Sequence, residues 1–267
     1  MYVTEGLSED LATDLARECL YRFLAVVLSD PDAERWHFVT DADNQRLARD
    51  AADFLRKEAG ADPLPLGFGE LPTEHLDVRL VLEELSGPLA EVREEYDRVF
   101  GLVLSRECPS YETEYHSSSE AFFRSQQLAD IAGFFRAFGI MPAQTAPERP
   151  DFLPLELEFV AFLLMKKRLA RASGEPGPPA TELVSICEDA ERAFFRDHLA
   201  WWVPAFATGL RRKAGTGLYA ALARVLAALI PVERRRLDIP APRLPVQAAL
   251  IEQPEEQGGC ADCAVQV

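Results

Sequence analysis

The 267-residue sequence predicts an all-α fold, a single multi-helix bundle of roughly nine to eleven helices. Three observations carry that expectation. Apolar residues recur at three- and four-residue spacing through most of the chain, no run alternates long enough to make a strand, and hairpin signals and internal repeats are both missing. An apolar content of 48% supplies a sizeable core, for one large domain or two small ones.

The first helix spans Ser8 to Ser29, with Leu11, Leu15, Leu20, Phe23, Leu24, Val27 and Leu28 as a wide apolar stripe, and Asp30-Pro31 stops it. Asp41 to Ala59 repeats the pattern with Leu47, Ala51, Phe54 and Leu55, and a Gly/Pro loop follows from Gly60 to Pro72. A helix over Thr73 to Leu85 is broken by Ser86-Gly-Pro88. Pro88 then serves as the first residue of the next helix, whose apolar face is Leu89, Val92, Tyr96, Val99 and Phe100.

Arg106 to Arg136 organises the rest. A loop with two carboxylates and two aromatics, Glu107-Cys-Pro-Ser-Tyr-Glu-Thr-Glu-Tyr115, runs into Ser117-Ser-Ser-Glu120, a capping box that opens a helix. Leu128, Ile131, Phe135 and Phe138 form its buried face, and Gly139 suits a left-handed C-terminal cap. A polar loop pinned against a buried helix is a place where binding residues collect, and an acidic loop on an acidic chain is equally what solvated surface looks like.

Met141 to Pro150 carries three prolines and can serve as a hinge between halves. Asp151 caps a long helix that tolerates Pro154 in its first turn. Leu153, Leu157, Val160 and Leu164 share one face of it, and Asp151, Leu155, Glu158, Phe162 and Leu169 the other, so the helix reads as buried on two sides. Its carboxylates then need a cation or a mouth open to water. After a Gly/Pro loop, Ser173 to Pro179, a helix from Thr181 reaches Phe194-Phe195 and Trp201-Trp202, where Pro204 kinks or ends it. The final helix, Leu218 to Leu229, is stopped by Pro231. Residues 1–235 form the helical domain, with the hinge at 141–150, and 236–267 form a Pro-rich tail expected to be flexible.

Charge and cysteine usage narrow the function. Lys plus Arg is 28 against 44 for Asp plus Glu, and the net charge of −16 repels nucleic acid and anionic membrane while attracting cationic partners. No apolar run approaches the roughly 18 residues of a membrane span, and Met-Tyr-Val-Thr-Glu-Gly does not begin a signal peptide. Five cysteines in that context argue against a disulfide framework, so a cytoplasmic location is expected.

No catalytic residue is proposed. His198 shares its helical face with Phe194, Trp201 and Ala205 and reads as a core or capping histidine. Glu156 and Glu158 point about 200° apart on a helix and cannot act as a couple. Glu112 and Glu114 converge if their loop is extended, which leaves a hydrolase as the last-ranked reading because no nucleophile accompanies them. Phosphate-loop, Gly-x-Ser-x-Gly and His-Glu-x-x-His motifs are missing. Cys260-Ala-Asp-Cys263 is a weak metal candidate, since Cys19, Cys108 and Cys187 lie in separate elements and a metal usually takes four ligands. A metal or redox carrier working through that pair is the main alternative function, and an incidental tail is the plainer reading. Binding remains: the carboxylates Glu112, Glu114, Asp151 and Glu158, beside the rings of Tyr96, Tyr111, Tyr115 and Phe152, suit a basic-then-apolar peptide.

Four segments, Glu107–Tyr115, Gln127–Gly139, Glu148–Phe159 and Phe195–Trp201, resemble, in the same order, motifs of the TorD/DmsD/NarJ family of redox-enzyme maturation chaperones. The similarity is nearest to members serving molybdenum enzymes of the type II dimethyl sulfoxide reductase group, and it spans about residues 10 to 230. The resemblance implies a TorD-like helical bundle without catalytic activity or a cofactor of its own. Its implied partner is a molybdenum-containing catalytic subunit, held in the cytoplasm by its twin-arginine signal peptide until the cofactor is inserted. The chain is expected to be a monomer or a dimer that swaps halves across the Met141 to Pro150 hinge. The family's aromatic-Glu pair falls on Tyr111-Glu112. Its Asp-His pair falls on Asp151-Phe152, where Phe152 departs from the pattern and puts a histidine-dependent release step in doubt.

Overall fold

Helix α1 (Glu9–Val27) is buried almost all round, and its neighbours explain the bundle. The computed structural model describes residues 8–60, 62–101, 105, 107–116, 121–141, 148–172 and 178–242. Within them follow α2 (His37–Thr40), α3 (Ala42–Glu58), α4 (Arg79–Leu85), α5 (Leu89–Phe100), α6 (Ala121–Ala137), α7 (Leu153–Ala172), α8 (Pro178–Phe194), α9 (Val203–Ala214) and α10 (Leu218–Arg236). The described residues contain no strand, only one antiparallel bridge between Tyr111 and Phe152, so the all-α expectation holds for them.

The expected stripe of α1 packs on α7 and α3. Its polar side is buried too, because charges there are paired: Arg17 with Glu233 of α10 and Glu191 of α8, and Lys167 of α7 with Asp14 (3.0 Å) and Glu191 (2.7 Å). Buried charges persist only with such partners. On the other side of the core α10 packs on α9, and Glu95 of α5 accepts from the amides of Leu218 and Tyr219 (3.0 and 3.1 Å) at the free N-terminus of α10.

Several sequence expectations are corrected. Thr73 to Leu85 is not one helix but a 3₁₀ turn (Thr73–His75) followed by α4, whose Arg79 amide bonds Asp77 Oδ1 at 3.0 Å. Pro88 caps α5 rather than opening it. Pro204 opens a separate helix, α9, after a π-helical turn at Phe195–Leu199. Pro231 does not stop α10, which runs on to Arg236. Pro231 offers no amide to the Ala227 carbonyl, and Leu71 N donates to that oxygen instead at 3.0 Å. Beyond Pro231, Val232, Glu233 and Arg234 are buried, Glu233 paired with Arg17 and Arg234 with Glu70, while Arg235 and Arg236 are exposed.

Among the described side chains of α6 only Ile131 is fully buried, so this helix is a half-exposed flank and not a core element. Its end is as expected: Gly139 has φ +76°, with Gly139 N to Arg136 O (3.0 Å) and Ile140 N to Phe135 O (2.9 Å) closing the helix. On α7 Leu153, Leu157, Val160 and Leu164 are buried, whereas Leu155, Glu158 and Phe162 are half-exposed and Leu169 is exposed. One face, not two, enters the core. The Ser117–Glu120 capping box, most of the 141–150 hinge and the tail beyond 242 lie outside the described residues.

Candidate functional site

Two segments far apart in sequence meet at the end of α7. Leu153 N donates to Ser110 O (2.9 Å) and Glu112 N to Asp151 O (3.0 Å), and between these bonds Tyr111 bridges to Phe152 with ring centroids 5.2 Å apart. The chain then turns at once into a 3₁₀ helix, Glu112–Tyr115. Asp151 does not cap α7. Its carboxylate caps this turn, accepting from Thr113 N (3.1 Å) and Thr113 Oγ1 (2.8 Å).

The 3₁₀ geometry separates residues two apart by about 240°, so the expected convergence of Glu112 and Glu114 does not occur and the hydrolase reading loses its only pair. Glu112 points inward and is fully buried. It accepts from Gln127 Nε2 (2.7 Å) and Trp201 Nε1 (3.0 Å) and lies 3.1 Å from His198 Nδ1. His198 is a buried residue, as expected, packed between Phe134 and Phe194, with Nε2 3.2 Å from Asp130 of α6. Tyr115 is also a core residue, against Trp202 at 5.1 Å. Glu112 and Tyr115 therefore shape the site from behind. Neither presents surface in this arrangement.

Glu114 and Asp151 are buried with their carboxylates directed at Arg149. Arg149 Nε and Nη2 fork onto Asp151 Oδ1 (3.0 Å) and Oδ2 (2.8 Å), Nη2 also reaches Thr113 Oγ1 (2.7 Å), and Nη1 lies 3.4 Å from Glu114 Oε1. The guanidinium stands over the Tyr111 ring, 4.4 Å from its centroid. Tyr111 in turn donates to Glu148 Oε1 (3.1 Å), and burial together with the Glu148 charge pushes its phenol up to about 12, so it stays a neutral donor. Arg124 pairs with the other oxygen of Glu114 at 3.2 Å. Glu114 and Asp151 thus hold the Arg149 guanidinium between them, and Glu114 also holds that of Arg124.

Glu148 and Pro150, on either side of Arg149, line an apolar cavity of about 790 Å³ between α6 and the outer face of α7. Phe135, Ile140, Leu155 and Phe162 form its walls, and Glu158 stands at its edge, paired with Arg35. A second cavity of about 610 Å³ toward α1 shares Glu158 and Phe162 with the first. The Tyr96 ring packs on Phe100 (4.9 Å) and Tyr219 (6.0 Å), and burial, with the charges of Asp30 and Glu148 nearby, pushes its phenol up to about 12. Sequence reasoning missed Arg149 and Gln127, and it weighed Glu156 only as a partner of Glu158. All three stand inside the quoted motifs, and the Glu-Arg-Pro-Asp run was the available signal for the first.

Cys260 and Cys263 lie outside the described residues; the cysteines within them, Cys19, Cys108 and Cys187, are free thiols. Among the described residues no cluster of three or more His, Cys, Asp or Glu could hold a metal ion, and no helix is long and apolar enough to cross a membrane.

The chain is similar to the perchlorate reductase assembly chaperone protein of Dechloromonas aromatica, 26% identical over 223 residues, which are 82% of this chain and 88% of that protein. It is 32% identical over 117 residues to the selenate reductase assembly chaperone protein of Thauera selenatis, covering 44% of this chain and 56% of that one. It is 30% identical over 114 residues to chaperone protein TorD of Vibrio cholerae, covering 43% and 47%. For the last two, the match spans about half the relative's length. These relatives are named as chaperones and not as catalysts. The sequence profile of the family described as nitrate reductase delta subunit matches residues 71–208, a stretch that holds all four motifs and the whole of the Tyr111–Asp151 junction. Covering just over half of the sequence, that match makes the chain a member of the nitrate reductase delta subunit family, within which the TorD/NarJ chaperones fall.

Proposed function

We propose that this chain is a cytoplasmic assembly chaperone for the molybdenum-containing catalytic subunit of a reductase of the type II dimethyl sulfoxide reductase group. It grips the subunit's N-terminal twin-arginine leader and delays export until the cofactor is in place. The observation that carries the reading is the adjacency of two unlike surfaces at Glu148-Arg149-Pro150: an acid-and-ring cradle on one side and an apolar cavity on the other. A twin-arginine leader has the same order, guanidiniums first and an apolar stretch after them. Glu114, Asp151, Tyr111 and Phe152 form the cradle in this reading, Glu158 lines the cavity, Glu112 and Tyr115 hold the turn, and Tyr96 lies within reach of the Glu148 charge.

Magnitudes say which part dominates. A charge-assisted hydrogen bond contributes about 1.5–3 kcal/mol at best, whereas burying three or four apolar side chains contributes about 1.5–3 kcal/mol each. The cavity therefore supplies most of the grip and the cradle supplies choice, because a forked carboxylate accepts arginine better than lysine.

Calorimetry with a synthetic peptide, two arginines followed by about ten Leu and Ala residues, tests this. The Arg-Arg peptide should bind about tenfold or more tighter than its Lys-Lys counterpart, and Leu155→Ser, on the cavity wall and off the core, should weaken it by about tenfold. Binding that ignores both changes would remove this reading.

A further inference from the structure

We infer that the cradle is a one-guanidinium subsite filled by the chain's own Arg149, and that an incoming arginine binds by taking Arg149's place. The identity of the incoming group rests on the function proposed above; the subsite itself does not. Three features support it. The first is saturation: the Arg149 fork uses both oxygens of Asp151 and the Thr113 hydroxyl, touches Glu114 and covers the face of Tyr111, so a second guanidinium has no equivalent place beside it. The second is an asymmetry of burial. Arg17 (2% exposed) with Glu233 (0%), and Arg234 (3%) with Glu70 (0%), are interior pairs sealed at both ends. Arg149 is 39% exposed while its partner Asp151 is at 0%, which makes a built, buried receptor with a removable occupant. The third is location, since the residues on both sides of Arg149 line the apolar cavity, so a replacement guanidinium enters at the head of that cavity.

Exchange also avoids the cost that forbids simple opening. Asp151 stripped of its cation would be a buried charge held only by Thr113, whereas swapping one guanidinium for another leaves it paired throughout. Displaced Arg149 remains next to Glu148. Binding is thereby weakened by the fraction of time the resident holds the site, as for any protein whose competent state is partly populated.

Arg149→Ala separates a resident ligand from a structural tether. Its melting temperature should fall below that of the unaltered chain, and millimolar N-acetyl-arginine amide should restore it, with no effect from N-acetyl-lysine amide and none on the unaltered chain. The variant should also bind the Arg-Arg peptide about threefold or more tighter, since there is nothing to displace. Loss of stability with no arginine-specific rescue, or peptide binding that is unchanged or weaker, overturns the inference even if the unaltered chain prefers arginine. Rescue by acetyl-arginine amide with no Arg-over-Lys preference for the peptide would instead keep the subsite and remove the leader as its ligand. Should the alanine variant not fold, Arg149→Met keeps the stem over Tyr111 and answers the same questions.

Discussion

Glu156 sits behind the turn at full burial, beside Glu112, with no cation paired to its carboxylate among the described residues. Burial first, then the neighbouring charges of Glu112 and Asp151, push its pKa well above the ordinary carboxylate range, so it holds a proton where an unfolded chain would not. The sign follows from the bound protons. From about pH 4.5 upward the native state carries the extra one, so stability falls as pH rises toward the raised value and is not recovered above it. Glu156→Gln removes that dependence. Its melting temperature should exceed that of the unaltered chain at neutral pH by a few degrees, about 2–4 °C per kcal/mol for a chain of this size, and the two should converge near pH 4.5. Profiles that run parallel across that range would mean the carboxyl is charged and compensated. Spacing correctly rules out a Glu156–Glu158 couple, and the structure agrees: Glu158 pairs with Arg35 at the surface while Glu156 faces inward. It gives no hint of the proton, because that depends on residues brought in from the 112–115 turn.

At the scale of elements, helical spacing predicts α1, α3, α5 and the buried face of α7, since one face of each meets the core and leaves a periodic trace. It fails where a distant backbone group decides the outcome. Nothing near Pro231 reveals that Leu71 N will take over the Ala227 carbonyl, and nothing near Asp151 reveals that its carboxylate will cap a turn from the other side of the hinge. The packing of α9 on the site loop is of the same kind. A Cβ on Gly209 would lie 2.7 Å from Glu107 O and 3.3 Å from Cys108 Cβ, where the loop enters the Tyr111 junction. Intrinsic propensity favours Gly209→Ala by about 1 kcal/mol in a helix, but a clash with backbone costs about 1–3 kcal/mol and shifts the loop. The clash wins. Gly209→Ala should lower the midpoint of urea unfolding and weaken Arg-Arg peptide binding together; a more stable variant with unchanged binding would show that the loop gives way freely.

Across the whole molecule, the sequence makes legible that two distant segments gather beside Tyr111 and Asp151, and the backbone bonds from Ser110 to Leu153 bring them together. The acidity of the loop is deceptive. In the sequence Glu112 and Glu114 read equally as binding residues or as solvated charge, and Asp151 as a helix cap, yet each is buried, because its partners, Gln127, Arg124, Arg149 and Thr113, arrive from other parts of the chain. Net charge survives that pairing: the chain carries −16, and Glu148, Glu158 and Asp130 stand near the site. A field of that sign draws a basic peptide inward over a range of about 8 Å at physiological salt, and acts on encounter rather than on residence. Stopped-flow association of the Arg-Arg peptide should therefore slow by about tenfold between about 20 and 300 mM salt, while dissociation changes by less than about threefold, since the apolar cavity holds the complex once formed. If dissociation speeds up as much as association slows, the grip is ionic and the cavity beside α7 does not carry it.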